Sequence, residues 1–228
     1  MCASPRAVTI SQPDPISVAL SQLVGAILFS LGSACFVWSA WADEWVTPWR
    51  IGCALWIGGC VPYFWPPLRN ERLGEGTHIS NALQVIGMLA WAVGSGFAFH
   101  HDVDFGMQVT NAGYLIGSAC LLLDPLLQAR QLFSATTAGD EKVSLVGDLL
   151  AGLFYTLAGA FGGYASDVAL IQFGNVCWLV GSLISGTRPC VALYARRGGA
   201  TSAGAPAKSV ELEEVTCTAA TATSASAV

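Results

Sequence analysis

Six amide side chains lie inside the long apolar runs of this chain, and they are its first candidates for chemistry. They are Gln22, Gln84, Gln108, Asn111, Gln172 and Asn175. An amide in apolar surroundings is costly, so each is a candidate for a functional role by default. We predict a possible polar path lined by Gln84, Asn111, Gln172 and Asn175. Alternatively, Asn111 and Asn175 hold helices together, because they occupy matching positions in the fourth and sixth runs.

Ionisable residues within the apolar runs are fewer. Asp124 and Asp148 lie near the ends of runs, and Asp148 is interpreted as a charge at a helix start that is solvated or pairs with Lys142 or Arg130. His100 and His101 precede Asp102 and Asp104, but adjacent histidines point in different directions, so a polar loop is favoured over a metal site.

The sequence contains no nucleophile elbow, phosphate-binding glycine loop or HExxH motif. Its eight cysteines show no CxxC pair and no metal-ligand spacing. We therefore predict no enzyme activity, and no catalytic, cofactor or metal site. Cys190, just past the last apolar run, is either a palmitoylation site or an unmodified thiol.

A pattern of eight residues recurs six times: Gly or Thr, three residues, an aromatic residue, two residues and Gly. The copies are Gly25-Phe29-Gly32, Gly52-Trp56-Gly59, Gly87-Trp91-Gly94, Thr110-Tyr114-Gly117, Gly152-Thr156-Gly159 and Gly174-Trp178-Gly181. The fifth copy has Thr in place of the aromatic residue, and a small residue follows the final Gly in every copy. These spacings place the three motif positions on one helix face.

Two interpretations of this face are open. Small residues let helices pack closely in lipid, so we predict that the face is the seam between paired helices, with the ring of one helix against a Gly of its partner. The competing interpretation is that the stripes line a central pathway or hold a pigment-like cofactor.

The elements that must position these residues are six runs without charge, at 17–41, 51–68, 79–99, 105–123, 149–166 and 168–187. The chain has 228 residues, is 54% hydrophobic and only 11% charged, and has a mean hydropathy of +0.56. Each run approaches the length of about 20 residues that a bilayer-spanning helix needs. None alternates as the strands of a β-barrel do. The predicted fold is an all-α integral membrane bundle of six transmembrane helices.

The loops group these helices into three tandem helical hairpins, at 17–68, 79–125 and 144–189, within a membrane domain at 16–197. Pro67, Pro125 and Pro189 each follow a terminal Gly by eight residues and are predicted to mark helix ends. The hairpins would form a pseudo-threefold ring or a less regular bundle. Residues 1–15 and the tail at 198–228 are predicted to be disordered.

Basic residues set the predicted orientation. Of the ten Lys and Arg residues, all except Arg50 fall on one side of the predicted spans. Because basic residues stay on the cytoplasmic side, both termini are predicted to be cytoplasmic. The net charge of −5 is spread over loops and tail and indicates no nucleic-acid surface.

The segments LVGAILFSLGS, QVIGMLAWAVGS, NAGYLIGS and NVCWLVGS resemble the YrhK-like domain, a small two-helix membrane unit. The resemblance extends over 18–190 as three tandem units. Cys60, where Ser is expected, and the Thr156 copy depart from the pattern. The resemblance implies neither an activity nor catalytic residues.

Two functions remain open at this stage. The first is a non-enzymatic structural or interaction module, with the lipid bilayer, further copies of the chain or other membrane proteins as partners. The second is a small-solute or ion transporter with a path near the amides of the third, fourth and sixth helices. A cavity beside Asn111 and Asn175 would favour transport, whereas a dry, filled interior would favour the module.

Overall fold

The computed structural model describes residues 15–42, 46–64, 77–100, 104–164 and 167–202. Within these ranges the chain is helical and has no strand, which confirms the all-α prediction. The helices are α1 (Pro15–Ser39), α2 (Val46–Cys60), α3 (Thr77–Phe97), α4 (Asp104–Gln128), α5 (Gly139–Tyr164), α6 (Val168–Ser185) and α7 (Thr187–Ser202). Short 3₁₀ turns at Val61–Phe64, Ala98–His100 and Ala129–Phe133 extend α2, α3 and α4.

Five helical stretches in the described ranges are long and apolar enough to cross a membrane. They are Ile16–Ser39, Ile79–Phe97, Phe105–Phe133, Gly139–Gly162 and Val168–Arg196. By length and composition, the chain is therefore a multi-pass membrane protein. With 15 residues, α2 is shorter than these, and its role as a sixth span stays a prediction.

Helices α1 to α6 form a closed ring. The most extensive contacts join α1 with α2, α3 with α4, and α5 with α6. Contacts of α2 with α3 and of α4 with α5 connect these pairs, and α1 packs against α6 to close the ring. Every helix of the ring thus has one face toward a common centre.

The outer surface of the ring is apolar. On α1, Leu20, Val24, Ile27 and Leu31 recur at helical spacing, and each keeps about half of its surface exposed (51%, 53%, 50% and 52%). A soluble protein rarely exposes continuous apolar faces of this extent. This surface suits lipid, while aromatic, small and polar side chains fill the interior.

Several predicted boundaries are wrong. The α-helix α4 continues past Pro125 to Gln128, and Pro189 lies in the first turn of α7, where proline is tolerated. The chain breaks at Gly186, between α6 and α7. Helix α7 reaches Ser202 and α5 begins at Gly139, while the membrane domain at 16–197 and the hairpin limits stay predictions. Pro67, residues 1–14 and residues 203–228 lie outside the described residues.

Candidate functional site

Each helix of the ring contributes one aromatic side chain to the centre, and together they form what we call the aromatic centre. Its members are Phe29, Trp56, Trp91, Tyr114, Tyr155 and Trp178. The shortest centroid distances are 4.6 Å for Trp56–Trp178, 4.7 Å for Trp91–Tyr155 and 4.8 Å for Trp56–Trp91. Most of the pairs meet edge to face, the arrangement that the charge distribution of aromatic rings favours. All six side chains are buried.

Four of these rings lie directly over a glycine of the paired helix. A Cβ atom placed on Gly117 would lie 2.2 Å from Cδ1 of Trp91, and one on Gly32 would lie 2.4 Å from Cδ1 of Trp56. The corresponding distances are 2.8 Å from Gly59 to Phe29 and 2.9 Å from Gly181 to Tyr155. Any residue larger than glycine at these four positions would overlap a ring. The rings can therefore pack there only because the residue is glycine.

Other motif glycines bring backbones or further rings together. A Cβ on Gly25 would lie 2.9 Å from the carbonyl oxygen of Gly59, and one on Gly94 would lie 3.0 Å from that of Thr110. Gly87 faces the Gly117 carbonyl at 3.2 Å, Gly174 faces Gly162 N at 2.5 Å, and Gly52 faces the ring of Phe36 at 2.5 Å. Each contact joins the two helices of one pair.

The predicted seam is wrong in α5. Gly152 faces Cα of Leu122 at 2.8 Å, and Gly159 faces Cα of Leu115 at 3.4 Å, so both meet α4 and not the paired helix α6. Thr156, between them, donates a hydrogen bond to the Gly152 carbonyl of its own helix (2.8 Å).

The face of α5 that meets α6 lies one residue earlier. Ala151, Tyr155 and Ala158 repeat the spacing of the motif, with alanine in place of glycine, and all three are buried. The aromatic residue immediately before Thr156 was the signal in the sequence that could have placed this face.

Small hydroxyl residues satisfy the polar atoms of the aromatic centre. Ser33 Oγ lies 2.9 Å from Ser182 Oγ and accepts a hydrogen bond from Trp56 Nε1 at 3.2 Å. The hydroxyls of Tyr114 and Ser95 lie 3.1 Å apart. Three of these are the serines that follow the final Gly of a motif copy. The centre is therefore filled, and its polar atoms are paired within the protein.

The four amides of the predicted polar path do not lie together. Gln172 donates to the Ala40 carbonyl (3.3 Å) and Asn175 to the Phe36 carbonyl (3.2 Å), near the end of α1. Gln84 donates to the Tyr63 carbonyl (2.6 Å) at the opposite end of the ring. Asn111 is half-buried on α4. Gln84 and Asn175 lie on opposite sides of the aromatic centre, so the four do not line one path.

A cavity of about 90 Å³ lies below the aromatic centre. It opens among the ends of the helices where α1, α3 and α5 begin and where α2, α4 and α6 finish, which we call the basal end. Phe29, Trp91 and Tyr155 border it toward the centre. Its volume is several times what one water molecule requires. We call it the basal cavity.

The basal cavity contains charged side chains from three helices. Arg188, in the first turn of α7, donates from Nε to Oδ2 of Asp148 at 2.6 Å, and its terminal nitrogen lies 2.6 Å from the same oxygen. Their side chains are 15% and 29% exposed. Asp124 accepts hydrogen bonds from Ser80 and from Gln128 (2.8 Å). The ion pair with Arg188 is a role that the sequence analysis did not foresee for Asp148.

Two further sequence candidates are the histidine and aspartate residues at 100–104 and Cys190. Within the described ranges, no group of three or more His, Cys, Asp or Glu side chains could hold a metal ion. His101 and Asp102 lie outside those ranges. Cys190 is an exposed, free thiol on α7.

In comparisons with known proteins, the chain matches no protein-family model, no curated protein and no solved structure. The resemblance to the YrhK-like domain therefore stays a prediction. The candidate site rests on its own geometry: a filled aromatic centre with a charged cavity on one side.

Proposed function

We propose that this chain is a six-span membrane protein, built as three tandem hairpins with both termini in the cytoplasm, that acts as a non-enzymatic structural or interaction module. The preferential packing of α1 with α2, α3 with α4 and α5 with α6 supports the hairpins. The apolar outer face supports a lipid environment, and further copies of the chain or other membrane proteins would dock there. The basic residues on one side of the predicted spans support the orientation.

The aromatic centre is the observation that carries this proposal. A channel needs a continuous polar path, but here six rings fill the axis of the ring of helices, and Trp56 and Trp91 retain 0% exposure. Three of the four amides of the predicted path, Gln84, Gln172 and Asn175, instead bond to backbone carbonyls of neighbouring elements. A closed interior of this kind suits a scaffold.

Solute flux tests the proposal. Full-length protein reconstituted into liposomes should leave the permeability to potassium and to glycerol at the level of protein-free vesicles. The folded Trp56→Ala variant, which lacks one of the two rings with 0% exposure, should raise that permeability and shows that a breach of the centre is detectable. Flux through the unmodified protein at a rate well above empty vesicles would contradict the proposal.

The position of α2 needs its own test, since its 15 residues are fewer than a typical span. In a cysteine-free background, Glu44→Cys should react with an impermeant maleimide added outside intact cells. Arg72→Cys should react only after the membrane is permeabilised. Labelling of both positions from the same side would contradict a transmembrane α2.

A second candidate function is a small-solute carrier, and the basal cavity is the observation that favours it. A carrier with this architecture would hold its solute below the aromatic centre and would open the centre during transport. Exchange of a labelled solute across the liposome membrane, without net leakage, would distinguish the carrier from the scaffold.

A further inference from the structure

We infer that the basal cavity is a binding site for a small uncharged molecule of mainly hydrocarbon character. The inference goes beyond the proposed module, because it assigns the cavity a ligand that enters from the basal end. It does not depend on whether the aromatic centre ever opens, and it holds for a module as well as for a carrier.

The wall of the cavity toward the aromatic centre consists of aromatic and hydrocarbon groups. Phe29, Trp91 and Tyr155 border the cavity there, and Met88 and Leu121 lie beside them. A water molecule in a protein interior needs about two to four polar partners, and such a wall supplies few. An apolar group that displaces this loosely held water gains binding free energy.

The charged groups of the lining are engaged with other groups of the protein. Arg188 holds one oxygen of Asp148 through two contacts of 2.6 Å. Asp124 accepts hydrogen bonds from Ser80 and Gln128. A charged ligand would have to break these interactions or stay unpaired in a half-buried site, and both are costly. An uncharged ligand leaves them intact.

The buried side-chain atoms that lack a hydrogen-bond partner do not line the cavity. Within the described ranges they are Asn81 Oδ1 and Gln131 Oε1, and neither residue belongs to the lining. The described lining therefore holds no buried donor or acceptor that only a polar ligand could satisfy. Selectivity follows instead from the shape of the cavity and from its apolar wall.

The volume of the cavity limits its ligand to a few atoms. It measures about 90 Å³, whereas a protein cavity of about 150 Å³ holds benzene. A ligand of about four or five non-hydrogen atoms therefore fits. Isobutanol matches this size, and its branched apolar body can contact the wall while its hydroxyl group stays at the open basal end.

Met88 provides a direct signal from the cavity. The chain contains three methionines, Met1, Met88 and Met107, so a spectrum of the ¹³C-labelled methionine methyl groups is simple. Met88 lines the cavity and is 2% exposed, whereas Met107 does not line it and is 36% exposed on α4. Titration of isobutanol into the full chain in nanodiscs should shift the Met88 signal to saturation in the millimolar range, as expected for a ligand of few atoms. The Met107 signal, assigned with Met107→Leu, reports isobutanol dissolved in the lipid and should not saturate with it.

Charged molecules of the same shape test the selectivity. Isobutyrate and isobutylammonium should each bind at least about tenfold more weakly than isobutanol, because either ion would disturb the charge pairing of the lining. A saturable Met88 shift of equal affinity with either ion would contradict the inference.

A gain of binding places the ligand beside Leu121. Leu121→Ala enlarges the cavity and should strengthen the binding of cyclohexanol, a larger probe, about tenfold, because the shorter side chain admits further apolar contacts. A misfolded protein cannot imitate this gain. Leu126→Ala makes the same change on a side chain of α4 that is 50% exposed, and it should leave cyclohexanol binding unchanged.

The same spectra show whether the cavity takes up a ligand at all. Isobutanol that produces no saturable shift at Met88, or equal responses of the Met88 and Met107 signals, would overturn the inference. Equal binding of cyclohexanol by folded Leu121→Ala and Leu126→Ala would overturn it as well.

Discussion

Gly117 illustrates how single residues determine the packing of this protein. The ring of Trp91 crosses from α3 onto α4 at the position where a side chain of residue 117 would begin. The Nε1 of Trp91 then reaches the Tyr114 carbonyl at 3.2 Å. The absence of a side chain at Gly117 therefore permits both the ring contact and this hydrogen bond.

Gly117→Ala should destabilise the protein by about 1–3 kcal/mol, because the new methyl group would overlap the Trp91 ring and force it to move. Gly96→Ala is the matched control on α3, since a Cβ there meets nothing within 4 Å. The Gly96→Ala variant should lose no stability. Its unfolding free energy should rise by up to about 1 kcal/mol, because alanine has a higher helix propensity than glycine. Thermal unfolding in detergent measures both, and equal losses in the two variants would refute the packing role of Gly117.

The pair of Asp148 and Arg188 is the second residue-scale feature with a measurable consequence. Removing either partner leaves a charge in a half-buried site that was arranged for two. Arg188→Met and Asp148→Leu should each destabilise the protein, while the double variant should lose less than the sum. The expected coupling in the double-mutant cycle is about 1–3 kcal/mol. Additive losses would show that the pair does not contribute as a unit.

At the scale of elements, α5 differs from the other five helices of the ring. Its motif glycines, Gly152 and Gly159, pack on α4, and its aromatic residue faces the centre from a position shifted by one residue. This arrangement lets α5 form two seams: Ala151 and Tyr155 meet α6 on one side, and Gly152 and Gly159 meet α4 on the other. The contact between α4 and α5 is therefore the most extensive of those that join neighbouring pairs.

The two neighbouring residues of α5 give a direct test of this register. Tyr155→Ala should destabilise the protein by about 3–5 kcal/mol, because it leaves a large cavity in the aromatic centre. Thr156→Ala removes a hydroxyl that donates to the Gly152 carbonyl of its own helix (2.8 Å) and, at 3.5 Å, to the Ser118 carbonyl of α4, and it should cost only about 1 kcal/mol. The unfolding free energies of the two variants are measured in the same detergent and compared. If Thr156→Ala lost more unfolding free energy than Tyr155→Ala, Thr156 and not Tyr155 would occupy the motif position that faces the centre, as the sequence pattern first indicated.

Pro125 shows why helix ends were harder to predict than helix faces. Proline cannot donate to the carbonyl of Leu121, which favours a helix end. The helix nevertheless continues, because it has only one further turn to complete and because α4 packs closely on Gly152 of α5 around Leu121. A local rule predicted the end, and a contact with a distant helix overrode it.

At the scale of the whole molecule, closure of the ring joins residues that are far apart in the sequence. Ser33 meets Ser182, Asn175 donates to the Phe36 carbonyl and Gln172 donates to the Ala40 carbonyl. All three contacts hold α1 against α6. They give the six helices a common centre and leave room for the basal cavity at one end.

The sequence could predict which face of each helix is buried, because spacings of three and four residues report that face directly. It could not predict which helix each face meets. Arg188 and Asp148 lie 40 residues apart, and Ser33 and Ser182 lie 149 residues apart, so no local pattern relates them. The basal cavity was missed for this reason, since its lining comes from several helices at once.

Closure of the ring through α1 and α6 is the central claim of this account, and disulfide crosslinking tests it most directly. Ser33 and Ser182 oxygens lie 2.9 Å apart, close enough for cysteines at both positions to form a disulfide after small adjustments. In a cysteine-free background, Ser33→Cys with Ser182→Cys should form an intramolecular crosslink under mild oxidation. Ser33→Cys with Ser118→Cys should not, because Ser118 lies on α4, across the ring from α1. Absence of the first crosslink in folded protein, or equal formation of both, would contradict the closed ring.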